Sequence, residues 1–152
     1  MLRGAIRAVS PNVSQIIGAT NSESIGLEPL SVALIGPDRD TRRAVAKALA
    51  QSRRAHVREF NNYPVEPDGL QKLLQQSFDV IIVDGRARPS CIKHALPKLK
   101  PGGWLLVDNS DRSYYLEPFS FDKTDWKVLT FEGPAPFMKG FSRTTLLQKR
   151  HR

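Results

Sequence analysis

The 152-residue sequence predicts a single α/β domain, built as a doubly wound, mostly parallel sheet that closes with an antiparallel strand pair. Two observations carry that prediction. Short apolar runs recur at residues 31–36 (SVALIG), 78–84 (FDVIIVD) and 104–108 (WLLVD), with a weaker strand at 56–60 (HVREF) and helix-like or turn-like segments between them. After residue 110 the rhythm changes. Residues 126–131 and 144–149 read as two further strands with no helical pattern separating them, which suits an antiparallel pair.

Each element has its own local reason. Residues 1–29 carry Arg3 and Arg7, no acid before Glu23, and apolar residues loosely spaced among Ser and Gly. This composition fits a loose amino-terminal arm or a short organellar targeting peptide, so the folded domain is placed at 30–150. The run at 31–36 ends in Gly36-Pro37, a strand leaving into a loop. Asp40 can cap the helix that follows, with Ala44, Val45, Ala48 and Leu49 on one face and Arg53 and Arg54 at the negative pole of its dipole. Residues 61–68 are turn-like, and Leu70, Leu73 and Leu74 mark a short helix that could begin at Pro67.

Val80, Ile81, Ile82 and Val83 form the strongest strand signal, an unbroken β-branched run of the kind covered on both faces in a parallel sheet. Ser90 can cap a helix carrying Ile92, Ala95, Leu96 and Leu99, which Pro97 must distort or end. Lys100-Pro101-Gly102-Gly103 reads as a stop before the strand at 104–108, and Gly133-Pro134-Ala135-Pro136 as the loop between the last two strands.

Composition excludes several classes. Hydrophobic residues at 40% and charged residues at 25% are too apolar a mixture for wholesale disorder. Cys91 is the single cysteine, so there is no intramolecular disulfide and no multi-cysteine zinc site, and His56, His94 and His151 show no metal-ligand spacing. No stretch approaches the ~20 apolar residues of a membrane span, and a cytoplasmic location is expected. The net charge of +8 makes an anionic partner thinkable.

In open α/β sheets ligands bind outside the carboxyl ends of the strands, near the point where strand order reverses. Gly36-Pro37-Asp38, Glu59-Phe60-Asn61, Asp84-Gly85-Arg86 and Asp108-Asn109-Ser110 each place an acid at or just past such an end. Acids there can accept ribose hydroxyls, hold Mg²⁺ or face a cationic ligand centre. They also make ordinary strand-to-helix turns and caps.

Residues 78–110, FDVIIVDGRARPSCIKHALPKLKPGGWLLVDNS, resemble the second half of a class I S-adenosylmethionine-dependent methyltransferase. The resemblance continues through Asp111-Arg112 to the EGPAPF…TTLLQK ending. It implies a Rossmann-like sheet of seven strands, of which six are countable here, so the domain is truncated relative to the full family. The missing strand would fall between Phe60 and Phe78. The resemblance also implies S-adenosylmethionine as cofactor and a small-molecule or saccharide-type acceptor. Glu59 matches the ribose-binding acid, Gly36 and Asp38 border the amino-acid end of the cofactor, and Asp84 is the residue facing the reacting centre. The family's Gly-rich first turn is represented only by Gly36-Pro37-Asp38-Arg39-Asp40.

The first half is similar to a second family. SVALIGPDRDTRRAVAKALA, HVREF and FDVIIVDG resemble a response-regulator receiver domain, in which Asp38 and Asp40 would hold Mg²⁺ and Asp84 would accept a phosphoryl group. A third reading is a non-catalytic domain that binds an anionic partner through a basic helix. Arg39, Arg42 and Arg43 sit at the start of that helix, where they oppose its dipole but would meet a phosphate, or simply form a solvated face. Lys93, Lys98 and Lys100 read as solubilising charges round a helix end. Tyr114, Tyr115, Phe119, Phe121 and Trp126 read as residues packing a loop onto the sheet, with an acceptor pocket or lid as the alternative. Cys91 and His94 read as packing and surface residues.

Overall fold

A computed structural model describes residues 29–36, 43, 46–47, 55–60, 70, 73–85, 87–134 and 140–151. It contains six strands: β1 (Leu30–Ile35), β2 (Ala55–Phe60), β3 (Phe78–Val83), β4 (Leu99–Val107), β5 (Trp126–Pro134) and β6 (Phe141–Lys149). Helix α1 (Arg88–Ala95) lies between β3 and β4. The sheet order is β2-β1-β3-β4-β6-β5. The first four strands are parallel, whereas β6 runs antiparallel to β4 and to β5. The predicted doubly wound sheet and its antiparallel closure are both present.

Alternation explains why these runs are strands. Ala33, Ile35, Ile81, Val83, Leu105 and Val107 turn to one face, against Cys91, Ile92 and Ala95 of α1. Val32, Leu34, Val80, Ile82, Trp104 and Leu106 turn to the other and are equally buried. A strand buried on both faces has no polar alternate position, hence the unbroken β-branched sequence of β3. The aromatic loop after β4 packs on the α1 side. Tyr115 is 2% exposed, and Phe119, Phe121 and Trp126 lie against the same cluster.

Several local expectations need correction. Ser90 is not the cap of α1. Ala87 holds that position without a side-chain cap hydrogen bond, and Pro89 occupies the first turn, where its missing N–H costs nothing. Pro97 does end the helix, by tightening the chain into a 3-10 turn at Leu96–Lys98. Lys100-Pro101-Gly102-Gly103 is not a stop before β4 but an irregularity within it. The β3–β4 register shifts between the Phe78–Leu99 and Val80–Trp104 pairs. The glycines make that excursion possible. Gly102 has φ +77, and a Cβ on Gly103 would sit 2.9 Å from the Lys100 carbonyl oxygen.

The helix expected over Leu70, Leu73 and Leu74 does not reach its last two residues: Leu73 lies in a bend and Leu74 is 83% exposed. Gly133 and Pro134 belong to β5, an edge strand that tolerates a proline at its end. Lys98 and Lys100 have structural partners. Lys98 is buried and donates to the Leu73 carbonyl, and Lys100 pairs with Asp79 at 2.9 Å. Arg43, Ala46 and Lys47 are helical, as expected between β1 and β2. Residues 1–28, Pro37, Asp38, Arg39, Asp40, Arg42 and the segment 61–69 lie outside the described residues. The arm, the Mg²⁺ pair, most of the basic cluster and most of the interval between Phe60 and Phe78 expected to lack a seventh strand therefore fall there.

Candidate functional site

The sheet order places β1 between β2 and β3, so the chain leaves β1 for one neighbour and later returns past it to the other. Strand order therefore reverses between β1 and β3, which is where doubly wound folds hold ligands. Three backbone bonds level the carboxyl ends there. The Gly36 N–H donates to the Phe60 carbonyl at 3.2 Å, Asp84 N–H to Ile35 at 2.9 Å, and Asp108 N–H to Val83 at 3.1 Å. Asp84 and Asp108 thus leave adjacent strands side by side.

Arg88 joins them. Its Nη2 donates to Asp84 Oδ1 at 2.9 Å and to Asn109 Oδ1 at 2.8 Å, and lies 3.9 Å from Asp108 Oδ2. Nη1 donates to the Gly85 carbonyl at 2.6 Å and lies 3.5 Å from the Tyr115 hydroxyl. The guanidinium also stands 5.1 Å from the centroid of the Tyr115 ring. Arg88 is 7% exposed, and its Nε is buried without a hydrogen-bond partner among the described residues. A cation in the first turn of a helix opposes the dipole; here the two strand-end carboxylates reverse the local field.

Beyond Arg88 the network crosses to β6. Asp108 Oδ1 accepts from Thr144 Oγ1 at 3.0 Å, and Asn109 Nδ2 donates to Ser142 Oγ at 2.8 Å. Ser110 Oγ lies 2.7 Å from Thr145 Oγ1 and also donates to the Arg143 carbonyl. Asn109 adopts φ +52, a left-handed conformation that asparagine accepts more readily than most residues and that turns the chain away from the sheet. On the outer side Arg112 Nη1 donates to the Tyr115 hydroxyl at 2.9 Å.

Burial alone would push the Tyr115 phenol up. Hydrogen bonds with Tyr114 and Arg112, with the charges of Arg88 and Arg112, outweigh it and hold the group below the usual tyrosine range. The Arg112 guanidinium is correspondingly raised, chiefly by hydrogen bonding to Tyr114 and then to Tyr115.

Of the sequence-derived candidates, Asp84 lies at the centre of this arrangement, with its side chain 42% exposed. Gly36 is buried one strand away. Glu59 is exposed one residue inside the end of β2, paired in register with Leu34, and all of β1 separates it from Asp84. Asp38 lies outside the described residues, and of the basic cluster Arg43 is described and exposed. For the receiver-like reading, the fifth place in the sheet is taken by antiparallel β6, where an order of 2-1-3-4-5 would put a parallel strand. Among the described residues no group of three or more His, Cys, Asp or Glu side chains could hold a metal ion, and no helix is long and apolar enough to cross a membrane.

Sequence reasoning passed over Arg88. Its signal was there: an arginine four residues after a strand-end acid, in a first helical turn where a cation needs a nearby anion.

No family model and no curated protein matches the sequence. Solved structures do match. Cofactor-bound Rv0187 from MTB superposes with a TM-score of 0.55 at 14% identity, over 91% of this chain and 78% of that one. A protein from Corynebacterium glutamicum gives 0.57 at 13% identity, over 99% and 88%. The DszA carbon methyltransferase gives 0.56 at 14% identity, covering 89% of this chain, which spans 50% of that protein's length. The chain has a class I methyltransferase-like fold. At these identities the likeness is one of fold alone.

Proposed function

We propose that this domain binds S-adenosylmethionine at the carboxyl ends of β1, β2 and β3 and directs methyl transfer to a small-molecule acceptor. The observation that carries the reading is Asp84: a part-exposed carboxylate at the strand-order reversal, aimed by a buried arginine, within a methyltransferase-like fold. The side chains present suit the ligand's chemistry. Exposed Glu59 would accept the ribose hydroxyls, Gly36 and Asp38 would border the amino-acid end, and Asp84 would face the cationic centre. When bound, the cofactor supplies an electrophilic methyl group on sulfonium sulfur. The protein's own contribution is orientation, because an in-line displacement gains most from holding its two partners in register.

Calorimetric titration with S-adenosylmethionine and S-adenosylhomocysteine tests the reading. Both ligands give saturable heat, and Asp84→Ala weakens S-adenosylmethionine by about tenfold or more, as expected for losing a charged contact, and S-adenosylhomocysteine, which lacks the sulfonium charge, by less. Absence of heat from the wild-type protein at millimolar ligand overturns the assignment.

A further inference from the structure

From the corner that follows β4, we infer that Arg112, Tyr114 and Tyr115 form an acceptor subsite that takes the carboxylate of a carboxylic-acid substrate. This rests on the methyl-transfer reading above and names its acceptor class. Arg112 is exposed, yet it is held in place rather than loosely solvated. It donates to the Tyr115 hydroxyl at 2.9 Å, and its guanidinium stands 5.8 Å from the Tyr115 ring centroid. It makes no salt bridge to a carboxylate among the described residues, Asp111 beside it included. A fixed arginine with donors still directed to solvent has the geometry for anionic oxygens.

The corner supplies the other half of such a site. Tyr114 leaves 54% of its surface exposed and packs edge-on against Tyr115, ring centroids 4.6 Å apart. Beside the guanidinium there is thus an open aromatic face for the body of a ligand. The guanidiniums of Arg88 and Arg112 stand 5.1 and 5.8 Å from the Tyr115 ring centroid, and their charges help to hold its phenol below the usual range. The location also fits: a single guanidinium, that of Arg88, spans from the Tyr115 hydroxyl to Asp84. A ligand anchored at Arg112 therefore lies beside the strand ends rather than on a remote surface. Charge selects a monoanion over a phosphate. One exposed guanidinium meets one carboxylate, and the adjoining Asp111 disfavours a more highly charged group.

The test uses benzoate as probe and benzyl alcohol as its uncharged counterpart, titrated into the full chain with and without saturating S-adenosylhomocysteine. Benzoate binds, benzyl alcohol binds at least tenfold more weakly, and Arg112→Ala raises the benzoate dissociation constant about tenfold or more. Arg112→Lys retains part of the affinity, and S-adenosylhomocysteine binding is the same in all three proteins. The inference is overturned if benzoate fails to bind in either condition, if benzyl alcohol binds equally well, or if Arg112→Ala leaves benzoate unaffected. The two readings fail separately. A protein that takes benzoate through Arg112 but gives no heat with S-adenosylhomocysteine loses the cofactor assignment and keeps the subsite. One that binds S-adenosylhomocysteine and ignores benzoate does the reverse.

Discussion

The two ends of the parallel sheet solve the same problem with different chemistry. At the amino end Asp79 accepts the Ser31 N–H at 2.8 Å and pairs with Lys100 at 2.9 Å, both side chains substantially in contact with solvent. At the carboxyl end Arg88 is buried and distributes its donors over Asp84, Asn109 and the Gly85 carbonyl. A lysine offers a point charge that water can replace. A buried planar guanidinium fixes several groups at once, and a single water cannot span the same partners when it is removed. The amino end is therefore a fastening of β1 to β3, whereas the carboxyl end is an organised polar centre whose acids stay aimed at one place. Organised polar burial costs stability, and here it falls on the side where the strand order reverses.

Three measurements sharpen or break that contrast, taken from the largest effect down. Arg88→Met removes the donors to Asp84 Oδ1 and Asn109 Oδ1 and the cation beside Asp108, and lowers stability by about 2–4 kcal/mol in urea unfolding. Arg88→Lys recovers only part, because one ammonium cannot span the same partners. A loss below about 1 kcal/mol for Arg88→Met makes the two ends equivalent and removes the distinction.

A smaller effect is expected from Tyr115, whose ordinary value is 10.0 and whose folded value lies below it. Between those two values the native protein binds fewer protons than the unfolded chain, so this group's contribution to stability rises with pH. It is complete above the unfolded value and lost as pH falls through the folded one. Denaturation from pH 8 to pH 10 shows the wild type gaining on Tyr115→Phe, and phenolate absorbance shows one tyrosine ionising ahead of the others. Parallel curves for the two proteins contradict the positive field inferred at this corner. The smallest effect is at the amino end. Lys100→Met costs less than about 1 kcal/mol, as part-exposed ion pairs do, and the loss shrinks further in high salt.

Legibility in the sequence followed the range of the interactions. β1, β3 and the end of β4 were readable because burial on both faces leaves an unbroken apolar run, and the end of α1 was readable because Pro97 acts on its own backbone. Lys100-Pro101-Gly102-Gly103 was misread for the converse reason. Locally it is a stop, but Gly102 and Gly103 let the chain make an excursion and rejoin the same strand. In the site, Asp84 was identified from its place after a strand. Its clamp was not, since the value of Arg88 depends on Asn109 and Tyr115, 21 and 27 residues away. The links from Asp108, Asn109 and Ser110 to Thr144, Ser142 and Thr145 are more distant still.

By itself the sequence determined the fold class, the closing antiparallel pair and the row of acids at the strand ends. Each of these is written in side-chain alternation or in residues adjacent along the chain. Tertiary structure alone decided which acids meet, that a buried arginine from the next helix joins them, and that Arg112 faces two phenols rather than Asp111 beside it. Hydrophobic periodicity is a local property and survives in one dimension. The partner of a buried charge is fixed only when strand order brings distant segments within hydrogen-bonding distance, because only there does desolvation make the choice of partner matter.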